Sequence, residues 1–143
     1  MQFNKSQIPI PKAFGTKSQR IQSFELITSK FDLQQRLFEF SISIVNEVRS
    51  LPSSNEYKVI SYQILKSATS IGANFEEAQA AVSIADFANK VAIALKEARE
   101  TNYWIRIIVA ISDVKDAWIK QERESKEIIK ILASIYNKSV VKK

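Results

Sequence analysis

Apolar residues recur along most of the chain at alternating steps of three and four, the spacing that keeps one face of a helix turned to one side. In the first run, Leu33, Leu37, Phe40, Ile44 and Val48 predict a helix that starts near Ser29 or Asp32 and runs to Arg49. Pro52 closes it, because the residue before a proline avoids the helical region. Ile21, Phe24 and Ile27 hold a three-residue spacing and allow an earlier start. A second helix opens on Ser53 with Glu56 three residues later, a capping pattern. It strings Ile60, Ile64, Ser67, Ile71, Asn74, Ala78 and Ala81 into one heptad seam with two polar members. Ser83 followed by Asp86 marks the next cap and places a turn near residue 83. The third helix then aligns Phe87, Val91, Ala94, Ala98, Thr101, Ile105 and Ile108 and ends at about Ser112. Asp113 or Asp116 caps a fourth, whose seam is Trp118, Gln121, Ser125, Ile128, Leu132 and Ile135.

No proline follows Pro52, so nothing breaks the last three helices. Residues 1–28, with Pro9, Pro11, Gly15 and scattered basic side chains, read as an extended or mobile basic arm. Residues 29–139 form the helical domain, and 140–143 a short basic tail. Four helices joined by short turns predict an all-α, antiparallel up-down four-helix bundle. The 3.5-residue period predicts a left-handed supercoil with crossing angles near about +20°.

The stretch "SATSIGANFEEAQAA", residues 67–81, departs from plain bundle composition. Lys66, Ser70, Asn74 and Glu77 share a face, while Ser67 and Asn74 fall in the seam itself. Gly72 costs about 1 kcal/mol relative to alanine inside a helix, which points to close approach of a neighbouring helix. A buried, unpaired Asn74 amide would cost about 1–3 kcal/mol, so it calls for partners on a neighbouring helix. Ser67, Ser70, Gly72, Asn74 and Glu77, with Glu97 and Glu100 of the third helix, read as a buried polar strip that fixes packing and assembly. The rival is a carboxylate site built from Glu76, Glu77, Glu97 and Glu100, with Arg36, Arg99 or Arg106 as alternative partners for the acids. Helix three carries one more feature. Trp104, Ile107 and Ile111 form a second apolar row beside the seam. Such a row suits either a fully surrounded helix or a subunit contact. No helix of a four-helix bundle is surrounded, which favours a homo-oligomer.

Composition narrows the chemistry. The chain has 143 residues, one domain by size, with 45% apolar and 25% charged side chains. It has no cysteine and no histidine, which excludes disulfides, thiolate chemistry and imidazole ligands or bases. Di-iron bundles use Glu-x-x-His pairs that are absent here, and no glycine-rich phosphate loop occurs. A non-catalytic protein without cofactor or metal is the expectation. No run of about 18 apolar residues exists and the N-terminus lacks a secretory apolar core, so a cytoplasmic, non-membrane protein is expected. The net charge of +6 divides as +4 over residues 1–30, −2 over 31–114 and +4 over 115–143. Basic ends attract phosphate backbones or acidic protein surfaces; equally, they keep a bundle soluble. For nucleic acid, the candidates are Lys115, Lys120, Arg123, Lys126 and Lys130, with Trp118 nearby. No base-reading motif accompanies them, so contacts would be to RNA or DNA backbone.

Four segments together resemble the bacterial four-helix bundle proteins, also called 23S ribosomal RNA intervening-sequence proteins. They are "FDLQQRLFEFSISIVNEV" (31–48), "YQILKSATSIGANFEEAQAA" (62–81), "DFANKVAIALKEARETNYWI" (86–105) and "ILASIYNKS" (131–139). The most specific part is Lys66-Ser67, Ser70-Ile71-Gly72-Ala73-Asn74 and Glu77-Ala78. The resemblance implies an up-down bundle assembled as a homopentamer, with a largely unassigned role. A distant relative, the accessory variability protein of diversity-generating retroelements, is a basic pentameric barrel that binds a reverse transcriptase and nucleic acid. The resemblance therefore implies RNA, or a nucleic-acid enzyme such as a reverse transcriptase, as partner. The alternative is a structural or protein-interaction oligomer without nucleic-acid affinity.

Overall fold

The computed structural model describes residues 16–113 and 115–141. Its helices are α1 (Lys17–Val48), α2 (Asn55–Gln79), α3 (Ile84–Ile111) and α4 (Asp116–Val141), and no strand occurs among the described residues. The chain divides into two compact units, residues 1–36 and 37–143. The described portion of the first unit is helical from Lys17 onward. The second unit holds the last turns of α1 together with α2, α3 and α4, and is an all-α four-helix bundle. Among the described residues no helix is long and apolar enough to cross a membrane.

Capping chemistry decides where the helices begin. At α3 the backbone of Ser83 is extended, and its Oγ accepts the Asp86 N–H at 3.0 Å. The Asp86 carboxylate reaches back to the Val82 N–H at 3.2 Å, closing a capping box one residue further out than usual. At α2 the cap is Ser54 rather than Ser53, and its side chain caps no backbone N–H. Glu56 thus sits one position nearer the helix start than a capping box requires. Its carboxyl is held below the usual range by a hydrogen bond to its own backbone and by the Ser54 hydroxyl. α1 begins at Lys17, well before Ser29, because the chain from Lys17 carries neither proline nor glycine to stop it. The expected arm therefore shortens: residues 17–28 are helical, and residues 1–15 lie outside the described residues. α4 likewise runs through Val140 and Val141 of the expected tail; Lys142 and Lys143 lie outside the described residues.

Within the second unit the core is formed by Leu37, Phe40 and Ile44 of α1, Ile60, Ile64, Ala68, Ile71, Phe75 and Ala78 of α2, Val91, Ala94, Ala98, Ile105 and Ile108 of α3, and Trp118, Ile128 and Leu132 of α4. The predicted seams of α3 and α4 hold almost throughout. On α2 the seam changes phase after Ile71: Phe75 is buried, and Asn74 stands half-buried beside it. A strict seven-residue repeat drifts about 20° per heptad around a 3.6-residue helix, so the inward position passes from 74 to 75.

Four hydrogen bonds tie the helices at mid-height, one across each seam. Ser41 Oγ of α1 shares its proton between the Leu37 carbonyl (3.1 Å) and the Ala68 carbonyl of α2 (3.2 Å). Ser67 Oγ of α2 and Thr101 Oγ1 of α3 are 2.9 Å apart and buried. Asn102 Nδ2 of α3 donates to Ser125 Oγ of α4 at 2.9 Å. Gln121 Nε2 of α4 donates to Ser43 Oγ of α1. Among the described residues no buried side-chain polar atom lacks a partner, so no member of the belt is buried unsatisfied. It also fixes the neighbours within the second unit: the α1 turns from residue 37 to 48 lie between α2 and α4, and α3 lies between α2 and α4. Opposite Gly72, a Cβ would lie 3.5 Å from the Leu37 Cβ and 3.7 Å from its carbonyl carbon and oxygen. That is ordinary contact distance, so α1 and α2 approach closely enough to accept a methyl group in the gap.

Candidate functional site

Of the polar residues of 66–77, Ser67 is buried in the core, whereas Lys66, Ser70, Asn74 and Glu77 lie on the outer lip of the α2–α3 seam. α2 places Val59, Gln63, Lys66, Ser70, Asn74 and Glu77 at steps of four and three, hence in one row. Antiparallel to it, α3 presents Lys90, Glu97, Glu100, Trp104, Ile107 and Ile111. Two contacts set the register: Glu77 Oε2 pairs with Lys90 Nζ at 3.0 Å, and Ser67 meets Thr101 beneath. The cation that meets Glu77 is thus Lys90, which no spacing in the sequence singles out.

Ser70 and Asn74 bond within their own helix. Ser70 Oγ donates to the Lys66 carbonyl at 2.7 Å, and Asn74 Nδ2 donates to the Ser70 carbonyl at 2.8 Å. Asn74 does not bond a neighbouring helix, against expectation; it bonds its own, because the phase change at Phe75 turns it to the lip. Glu77 is exposed, Ser70, Gly72, Glu97 and Glu100 are half-buried, and only Ser67 is fully enclosed within the single chain. The Glu97 carboxyl is held above the usual range, chiefly by burial and then by the charge of Glu100, while Lys96 and Lys66 pull the other way. Glu100 Oε1 accepts the Trp104 indole N–H at 3.3 Å.

The raised Glu97 value has a pH consequence. Ionisation is less favourable in the fold than in the open chain, so this group's contribution to stability is full in acid. It is lost as pH rises through the folded value. Glu97→Gln is expected to melt at or above wild type at neutral pH, with the advantage vanishing toward about pH 4. Thermal melts of both proteins across that range provide the check; a variant that is less stable at neutrality contradicts the burial argument.

Toward the N-terminus of α2 and the C-terminus of α3 the face turns apolar. Trp104 and Ile107 are half-buried, while Val59 and Ile111 are exposed at 59% and 46%. Among the described residues no cluster of three or more potential metal-ligating side chains forms, so Glu76, Glu77, Glu97 and Glu100 do not gather into one carboxylate centre.

Residues 29–134 match the family of 23S rRNA-intervening sequence proteins. The chain belongs to that family. A crystal structure of a protein of unknown function from the S23 ribosomal protein family, from Bacteroides thetaiotaomicron VPI-5482, is 42% identical in sequence. The similarity covers 73% of this chain and 97% of that one, with a TM-score of 0.67. No curated protein matches the chain.

In this member of the intervening-sequence family the candidates are all exposed: Lys115 just before α4, and Lys120, Arg123, Lys126 and Lys130 on it. Two of them spend charge on their own helix, Lys126 on Glu122 at 3.1 Å and Lys130 on Glu127 at 3.3 Å. Trp118 is 3% exposed and belongs to the core, so it offers no surface to a ligand beside these lysines.

Proposed function

We propose that this intervening-sequence family protein is a non-catalytic, self-assembling helical bundle whose basic surfaces hold nucleic acid, foremost RNA, or an enzyme that works on it. A single observation carries the assembly half. The α2–α3 face ends in Val59, Trp104, Ile107 and Ile111, an apolar group only partly covered in one chain. A second copy of the chain is the occupant we favour, and a pentamer is the number the family resemblance suggests. The nucleic-acid half rests on the charge distribution, with +4 at each end of the sequence around an acidic middle.

Light scattering on the wild type is expected to give a multiple of 16.3 kDa. The double variant Trp104→Glu/Ile107→Glu is expected to run as a folded monomer with unchanged helicity by circular dichroism. A wild-type monomer would reject the assembly. Mobility shift of structured RNA should weaken steeply between about 50 and about 200 mM salt, as phosphate contacts release counterions. The ion pairs that occupy Lys126 and Lys130 favour a second reading, an interaction scaffold without nucleic-acid affinity. Absence of any shift at low salt selects it.

A further inference from the structure

We propose that the outward face of α3 is a single-strand nucleic-acid surface in which Tyr103 stacks on a base while Lys96, Arg99 and Arg106 hold the flanking phosphates. This rests on the nucleic-acid reading above and moves its site from α4 to α3. The four residues follow steps of three, four and three, so they form one stripe about 15 Å long, and all four are exposed.

The stripe differs from the α4 surface in what accompanies its cations. Tyr103 keeps 50% of its area open. Its ring is braced edge-on by Trp104, with centroids 5.2 Å apart and planes at 71°. The Arg106 guanidinium lies 5.8 Å from the Tyr103 centroid, and its Nε donates to the buried Asn102 Oδ1 at 3.0 Å. A half-exposed tyrosine with an anchored planar cation over one of its faces offers the other face as a platform for a base, since every base has a π-face. On α4 the tryptophan is inside. Of the acids nearest the stripe, Glu97 feels Lys96 and then Lys66, and Glu100 accepts the Trp104 indole N–H. The stripe itself carries three positive charges and one aromatic ring, with Glu97 and Glu100 along its border. A duplex hides its base faces from such a platform; a single strand presents them.

The test is fluorescence anisotropy on the full chain with a labelled short oligouridylate, compared with an RNA duplex of the same length. Wild type is expected to prefer the single strand. Tyr103→Ala should weaken oligouridylate binding about tenfold, whereas Tyr103→Phe, which keeps the ring and its contact with Trp104, should stay near wild type. Arg99→Gln/Arg106→Gln should reduce the slope of log affinity against log salt by about 1.4, and Lys120→Gln/Arg123→Gln should leave stacking intact. Melting curves establish that each variant is folded. Tyr103→Ala binding like wild type would overturn the α3 surface while leaving nucleic-acid binding in place. No binding of either RNA by wild type at low salt would overturn both.

Discussion

Phe75→Ala is expected to remove about 3–5 kcal/mol of stability, the usual loss when a buried phenyl ring is deleted. Phe75 is 1% exposed and the largest fully buried side chain among the described residues, so its deletion leaves a cavity in the core. A small domain holds only about 5–15 kcal/mol in total, so the loss is a large fraction of the whole. The melting temperature should fall by roughly 10–25 °C. Thermal denaturation followed by circular dichroism measures it. A change of a degree or two would mean that α2 turns Asn74, and not Phe75, into the core.

The second large effect is at Gly72, where two substitutions should move stability in opposite directions. A Cβ there meets Leu37 at ordinary contact distances, so Gly72→Ala should be neutral or stabilising by up to about 1 kcal/mol through helix propensity. Gly72→Leu drives further carbons against the α1 backbone and should cost about 1–3 kcal/mol or more by overpacking. Melting both variants beside wild type separates the effects. Equal stability of the two would show that α1 yields at Leu37 and that the approach is not tight.

What is legible in the sequence follows the physics of each signal. α3 can be read to its ends because Ser83 and Asp86 form a cap whose atoms act locally, and because its seam keeps one phase over 28 residues. The start of α1 is hard to place because Thr16, Ser18, Ser23, Thr28 and Ser29 are all cap-type residues, although the spacing of Ile21, Phe24 and Ile27 is present. Ser53 and Ser54 are adjacent hydroxyls, and only the backbone turn after Pro52 chooses between them. The α2–α3 face is half visible. The shared row of Lys66, Ser70, Asn74 and Glu77 follows from spacing, but its depth does not, since a one-residue phase change separates a core amide from a lip amide. Lys90 escapes because partnership across two helices depends on register. The stripe from Lys96 to Arg106 is readable in principle at its three- and four-residue steps; the larger number of lysines on α4 masks it.

The four seam bonds at mid-height set how this protein can move. Each rod is tied to both of its neighbours, so an axial slip of one residue, about 1.5 Å, would break a pair of ties at once. The waist thus works as an indexing ring that opposes shear, each tie adding about 0.5–1.5 kcal/mol.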